Sequence, residues 1–136
     1  MTVTYTHDFQ YVEAGGDHHL PGLLLSVQAP DGQAIEVDAF LDSGASHSLF
    51  NGEILPAIGL DVMAGPVKPY QGVMGPPLEA RLHHVRLIHE QLGDFDLEVG
   101  FSTVRIARNL LGRDFFDRIQ IGFREHHLMF FVEPTR

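Results

Sequence analysis

Cysteine is absent from the 136 residues, which excludes disulfides, a thiolate nucleophile and cysteine-ligated zinc sites. Basic residues are scarce: 9 Lys and Arg stand against 18 Asp and Glu, a formal net charge of -9. With no basic run either, the chain has nothing to offer nucleic acid or an anionic membrane surface. No apolar run approaches the ~20 residues that cross a bilayer. The opening Met1-Thr2-Val3-Thr4-Tyr5 has neither the basic end nor the apolar stretch of a signal peptide. A cytoplasmic protein without membrane contact is the expectation. Histidine is plentiful, with adjacent pairs at His18-His19, His83-His84 and His126-His127. Yet HExxH spacing is missing, and neighbours on a strand point to opposite faces, so a pair does not easily chelate one ion. The sequence predicts no metal and no cofactor, with the histidines solvated or hydrogen-bonded.

What is present is the balance of one globular domain, 1–136, with 44% apolar and 20% charged residues, enough to build a single core. Residues 1–20 read as a strand and loop extension of that domain, to which the sequence assigns no role. Residues 23–29 and 34–41 are strand-like runs joined by Pro30-Asp31-Gly32-Gln33, a hairpin signal. In the second run Ile35, Val37 and Ala39 alternate with Glu36 and Asp38 until Phe40-Leu41 turns fully apolar. The strand therefore enters the core just before Asp42. Asp42-Ser43-Gly44-Ala45 then makes a tight turn, in which Gly44 permits close backbone approach and the small Ala45 leaves room beside the acid. As ordinary turn chemistry Asp-Ser-Gly is common; at the end of a buried strand it is a candidate catalytic aspartate.

Downstream, residues 51–58 predict a short helix with Asn51 as cap, Gly59 as stop and Pro56 weakening it. Residues 67–88 predict a hairpin with a glycine-bearing tip, its second arm placing Leu78, Ala80, Leu82, His84, Arg86 and Ile88 on one side. Phe95, Leu97, Val99 and Phe101 alternate with Asp94, Asp96, Glu98 and Gly100 as a half-buried strand. An apolar run ends in Asn109-Leu110-Leu111-Gly112, a short helix follows at 113–117, and strands are expected over 119–123 and 128–133. Many short strands with one or two short helices describe an all-β, barrel-like protein.

Leu41-Asp42-Ser43-Gly44-Ala45, the hairpin carrying Gly72 and Gly75, and then Leu110-Leu111-Gly112-Arg113-Asp114 before a short helix resemble the retropepsins. These are the single-lobe aspartic proteases typified by retroviral proteases, and the resemblance runs in order from residue 23 to the C-terminus. It implies a closed barrel lobe with a flap hairpin, in which Tyr70, Gly72, Val73, Met74 and Gly75 contact substrate. It also implies that Leu110, Leu111 and Gly112 buttress Asp42, and that Ser43 locks two active-site loops together across a dimer. Three features depart from the retroviral pattern. Ser46 stands where those proteins often place an acid that pairs with the arginine here numbered Arg113. Pro76-Pro77 follows the hairpin tip, fixing φ and removing amide donors. The two C-terminal strands resemble the end of a pepsin lobe.

Amide hydrolysis by this chemistry needs two carboxylates sharing one proton, one activating water and its twin supporting the oxyanion. Only one Asp-Ser/Thr-Gly occurs: Asp31-Gly32 lacks the hydroxyl and Asp114 lies in the expected helix. The sequence thus predicts a homodimeric aspartic endopeptidase acting on a peptide or protein, with Asp42 contributed once by each subunit. Ala45 offers no hydroxyl to the outer carboxylate oxygen, so activity is expected at mildly acidic to neutral pH. His47 and Met74 read first as a structural hydrogen bond and a packing residue. Two alternatives stay open: a dimeric module of the same fold that grips peptides without cutting them, and an unrelated β-rich interaction protein in which the Asp42 turn is coincidental.

Overall fold

The computed structural model describes residues 2–71 and 76–135. Its first strands are short: β1 (His7–Gln10), β2 (Val12–Glu13) and β3 (His19–Leu20). The sequence marks residues 15–22 as loop, but Val12 pairs with Leu20 and Glu13 with His19, so β2 and β3 form a small hairpin over the Gly15-Gly16 turn.

β4 (Gly22–Gln28) and β5 (Ala34–Leu41) pair antiparallel from Gly22↔Phe40 to Gln28↔Ala34. Asp31 shapes their connection by accepting the Gln33 N–H at 3.0 Å, and Gly32 supplies the positive φ of 99° that the bend requires. Burial along β5 follows its pattern: Glu36 and Asp38 are exposed, while Val37, Ala39, Phe40 and Leu41 are covered.

β6 (Leu49–Asn51) leads into a 3-10 helix at Gly52–Ile58 that stops at Gly59 with φ 79°. The helix is tighter than an α-helix, in keeping with Pro56 inside it, which lacks the N–H that a regular helix bonds. Asn51 occupies the cap position without capping. Its Oδ1 accepts the Ile106 N–H at 2.8 Å and its own N–H goes to Asn109 Oδ1 at 2.8 Å, tying two distant loops together.

β7 (Val67–Tyr70) and β8 (Leu78–His89) pair from Val67↔Arg81 to Tyr70↔Leu78, and β8 pairs along most of its length with β9 (Gly93–Ser102). Leu78 to Ile88 lie on one strand as expected, but the side of it that is buried changes along its length. Ala80 is buried, but farther along Val85, Leu87 and His89 are covered while His84 and Arg86 face solvent. A strand of 12 residues outlasts one environment: its first part pairs with β7, and its last part pairs with β4 through Ser26↔Ile88 to Gln28↔Arg86. The core therefore meets opposite faces at its two ends.

The chain closes with β10 (Asn109–Leu111), helix α1 (Arg113–Phe116), β11 (Ile119–Arg124) and β12 (Met129–Pro134). Seven strands are ordered β4-β5-β10-β6-β9-β8-β7, and the additional β4–β8 pairing makes the path of pairings return to its start through six of them. The second sheet is β1-β12-β11, in which His7–Gln10 of the N-terminal stretch pairs with the last strand. Phe50, Phe101, Leu25, Leu55, Leu87 and Leu111 are fully enclosed between these elements. Each such side chain contributes about 1.5–3 kcal/mol by leaving water. No helix among the described residues is long and apolar enough to cross a membrane.

Candidate active site

The apolar end of β5 delivers Asp42 to a half-buried position at the mouth of the sheet. Its backbone is held on both sides: the Asp42 N–H donates to the Leu111 carbonyl at 2.9 Å, and the Asp42 carbonyl accepts the Ala45 N–H at 3.1 Å. The carboxylate folds back over its own turn, where Oδ1 accepts the Gly44 N–H at 2.9 Å. A Cβ at residue 44 would stand 3.1 Å from that oxygen, so any side chain there would crowd the carboxylate. Ser43 and Gly44 are exposed at the tip, and Ala45 is partly covered.

Strands joined by so short a connection ordinarily pair with each other. β5 and β6 do not. β10 lies between them, parallel to β5 through Leu110↔Phe40 and Leu111↔Leu41 and antiparallel to β6 at Leu110↔Leu49. The inserted strand spreads the arms and fixes the loop between them. Gly112 carries the chain out through the gap, and the next residue donates its N–H to the Ala45 carbonyl at 2.8 Å. Leu110, Leu111 and Gly112 therefore stand beside Asp42.

Beneath the loop is a polar knot that the sequence did not single out. Ser48, fully buried, donates its hydroxyl to Asp114 Oδ1 at 2.7 Å and its N–H to the same carboxylate at 3.0 Å. The hydroxyl oxygen in turn accepts the Gly112 N–H at 3.0 Å. The Ser48 carbonyl receives two donors, the Gly100 N–H and the Tyr70 hydroxyl, each at 3.1 Å. The available signal was slight: a serine directly before the apolar Leu49-Phe50, and an acid at the second position of a short helix.

Tyr70 directs its hydroxyl inward and is half-buried against Gly100. Burial, with the nearby charges of Asp114 and Glu98, pushes its hydroxyl up to about 12, so it stays a donor throughout the neutral range. Gly72, Val73, Met74 and Gly75 lie outside the described residues. Pro76 and Pro77 are exposed. His47 is exposed and, with Ser46, Arg113, Asp114 and Asp117, lines a shallow cleft next to the Asp42 turn. The ion pairs among the described residues use Arg81, Arg86 and Arg105, and none uses Arg113. No group of three or more His, Asp or Glu among the described residues is gathered closely enough to hold a metal ion.

As a sequence the chain matches no family model and none of the curated proteins compared. As a structure it resembles a retropepsin-like aspartic protease from Rickettsia conorii, with a TM-score of 0.59 over 85% of this chain and 96% of that one. It also resembles the EIAV protease solved with the inhibitor HBY-793, with a TM-score of 0.51 over 72% of this chain and 86% of that one. The fold is that of the retropepsins. At 12% and 17% identity the likeness is one of backbone path, and what this retropepsin fold does depends on its own residues.

Proposed function

We propose that the chain is an aspartic endopeptidase working as a homodimer, each subunit supplying one Asp42. The observation that carries this reading is the Asp42 turn braced by main-chain bonds to Leu111 and from Arg113, in a fold shared with two aspartic proteases. A rigid loop keeps a carboxylate where a symmetry mate can meet it, and two such groups about 3 Å apart hold one proton between them. In turn, the ionised group takes a proton from water while the protonated one donates to the scissile carbonyl. No cofactor enters this chemistry. In this reading Ser43, exposed at the tip of the turn, meets the partner's loop, and the substrate is an extended peptide with apolar residues flanking the cut.

The subunit contact has one constraint. β12 is paired on one edge with β1, from His7↔Val132 to Gln10↔Met129, and on the other with β11. A second subunit therefore cannot add to it as a strand.

The test is incubation of the protein and of Asp42→Asn with a diverse peptide mixture near pH 6. Cleavage by the first and none by the second is the expected result. Binding without cleavage by either protein would instead assign a peptide-gripping module of the same fold.

A further inference from the structure

Among the polar groups around the loop, one has no part in the chemistry above. Tyr70 ends β7, on a hairpin arm remote in sequence from both Asp42 and Gly112, yet its hydroxyl reaches the carbonyl of Ser48 at 3.1 Å. The seat for its ring exists because residue 100 is glycine. A Cβ there would come within 2.8 Å of Tyr70 Cζ and closer still to its hydroxyl. Two separate features of the chain thus converge on one contact: an inward tyrosine and a niche emptied to receive it.

The contact falls on the residue that fastens the loop. Ser48 holds the Gly112 N–H through its hydroxyl, and Gly112 follows Leu111, whose carbonyl receives the Asp42 N–H. The Ser48 carbonyl already has a donor in Gly100, so the tyrosine is not needed to satisfy a buried acceptor. A second donor at that oxygen narrows the orientation of the Ser48 peptide, and with it the direction of the hydroxyl. Lys68, two residues earlier on the same face of β7, stands 5.9 Å from the centre of the tyrosine ring and covers its outer side.

We propose that Tyr70 is a positioning residue for the Asp42 site, its hydroxyl fixing Ser48 and, through Ser48 and Gly112, the loop that carries the aspartate. The role rests on the endopeptidase reading for its catalytic consequence, but the mechanical link does not. The root of the β7–β8 hairpin and the Asp42 loop are fastened by a bond other than the sheet ladder. Whatever displaces the one is felt by the other.

Tyr70→Phe keeps the ring in its niche and removes only the hydroxyl. The expected result is a thermal midpoint close to that of the parent, with kcat on peptide lowered roughly tenfold and KM little changed, as for a small misplacement of reacting groups. In a Ser48→Ala background, where the hydroxyl link to Gly112 is already cut, the same change lowers kcat less than about twofold further. Equal losses in the two backgrounds would overturn the proposal. The link is also read without any activity, from amide exchange followed residue by residue. The Gly112 amide should exchange faster in Tyr70→Phe while amides of β4 and β5 keep their protection. Unchanged protection at Gly112, or loss spread evenly over the chain, would overturn it. Should the parent protein cleave no peptide, the endopeptidase reading falls, and the exchange measurement still decides the role of Tyr70.

Discussion

Gly112 passes so close to His47 that a methyl group on it would stand 2.6 Å from the His47 carbonyl carbon and 2.8 Å from the Ala45 carbonyl oxygen. Both neighbours are backbone, and neither moves without moving the Asp42 turn. Gly112→Ala is therefore expected to destabilise the protein by about 2–3 kcal/mol, the usual cost of forcing extra volume into a filled site. Protein that still folds should have lost cleavage more than stability. Denaturant unfolding alongside a peptide assay measures both.

The Asp114 carboxylate collects the Ser48 N–H, the Ser48 hydroxyl and the Phe115 N–H at 2.9 Å. Asp114→Ala strands a buried amide and hydroxyl and should cost about 2–3 kcal/mol, whereas Asp114→Asn keeps an acceptor and should cost about 1 kcal/mol or less. Equal losses in the two variants would contradict this account of the knot. Urea midpoints of both proteins give the comparison.

Acid should loosen the β8–β9 turn before it loosens the terminal sheet. His89 Nδ1 accepts the N–H groups of Gln91 and Leu92 at 3.0 and 3.1 Å, with its ring edge-on to Phe9. Burial holds its pKa below the ordinary 6.5, His7 lowers it further and Glu90 opposes the shift. A histidine kept neutral in this way contributes stability that is complete above its unfolded value and is lost as pH falls below about 6.5. Glu133 acts in a lower window. Bonds from the Thr6 N–H and hydroxyl, at 2.7 and 2.8 Å, keep its carboxyl below the ordinary 4.5, so that contribution fades only as pH falls through the carboxylate range. The Tm should therefore decline in two stages. His89→Asn, which retains an acceptor without titrating, should remove the first stage and leave the second.

Subunits that each supply half of the catalytic pair make a mixed dimer inactive. Adding a ninefold excess of Asp42→Asn to the parent protein and allowing exchange should lower activity roughly tenfold, because few parent chains then find a parent partner. Activity that follows only the amount of parent protein would mean that one chain carries a complete site.

Much of this arrangement could be read from the sequence where the signal is local. The alternation in β5 and β9 matches their burial, Gly59 and Gly32 mark real changes of backbone direction, and α1 begins where the Leu-Leu-Gly run ends. What could not be read depends on partners far along the chain. Asn51 looked like a cap, yet Ile106 and Asn109 claim its polar groups across 55 and 58 positions. β8 was legible as an alternating strand, but which side faces the core changes along it because different neighbours cover its two ends. Ser48 is a small polar residue among many, and only its bonds to Asp114 and Gly112, 66 and 64 positions away, give it a role. Tyr70 was visible as a residue near the site, but its direction was set by the empty niche at Gly100.

The most direct measurement is the separation of Asp42 carboxylates in a crystal of the assembled protein. The account predicts a two-fold dimer in which an oxygen of one Asp42 lies about 3 Å from an oxygen of its mate, close enough to share a proton. A monomer, or an assembly that keeps every such pair far beyond hydrogen-bond reach, would contradict it.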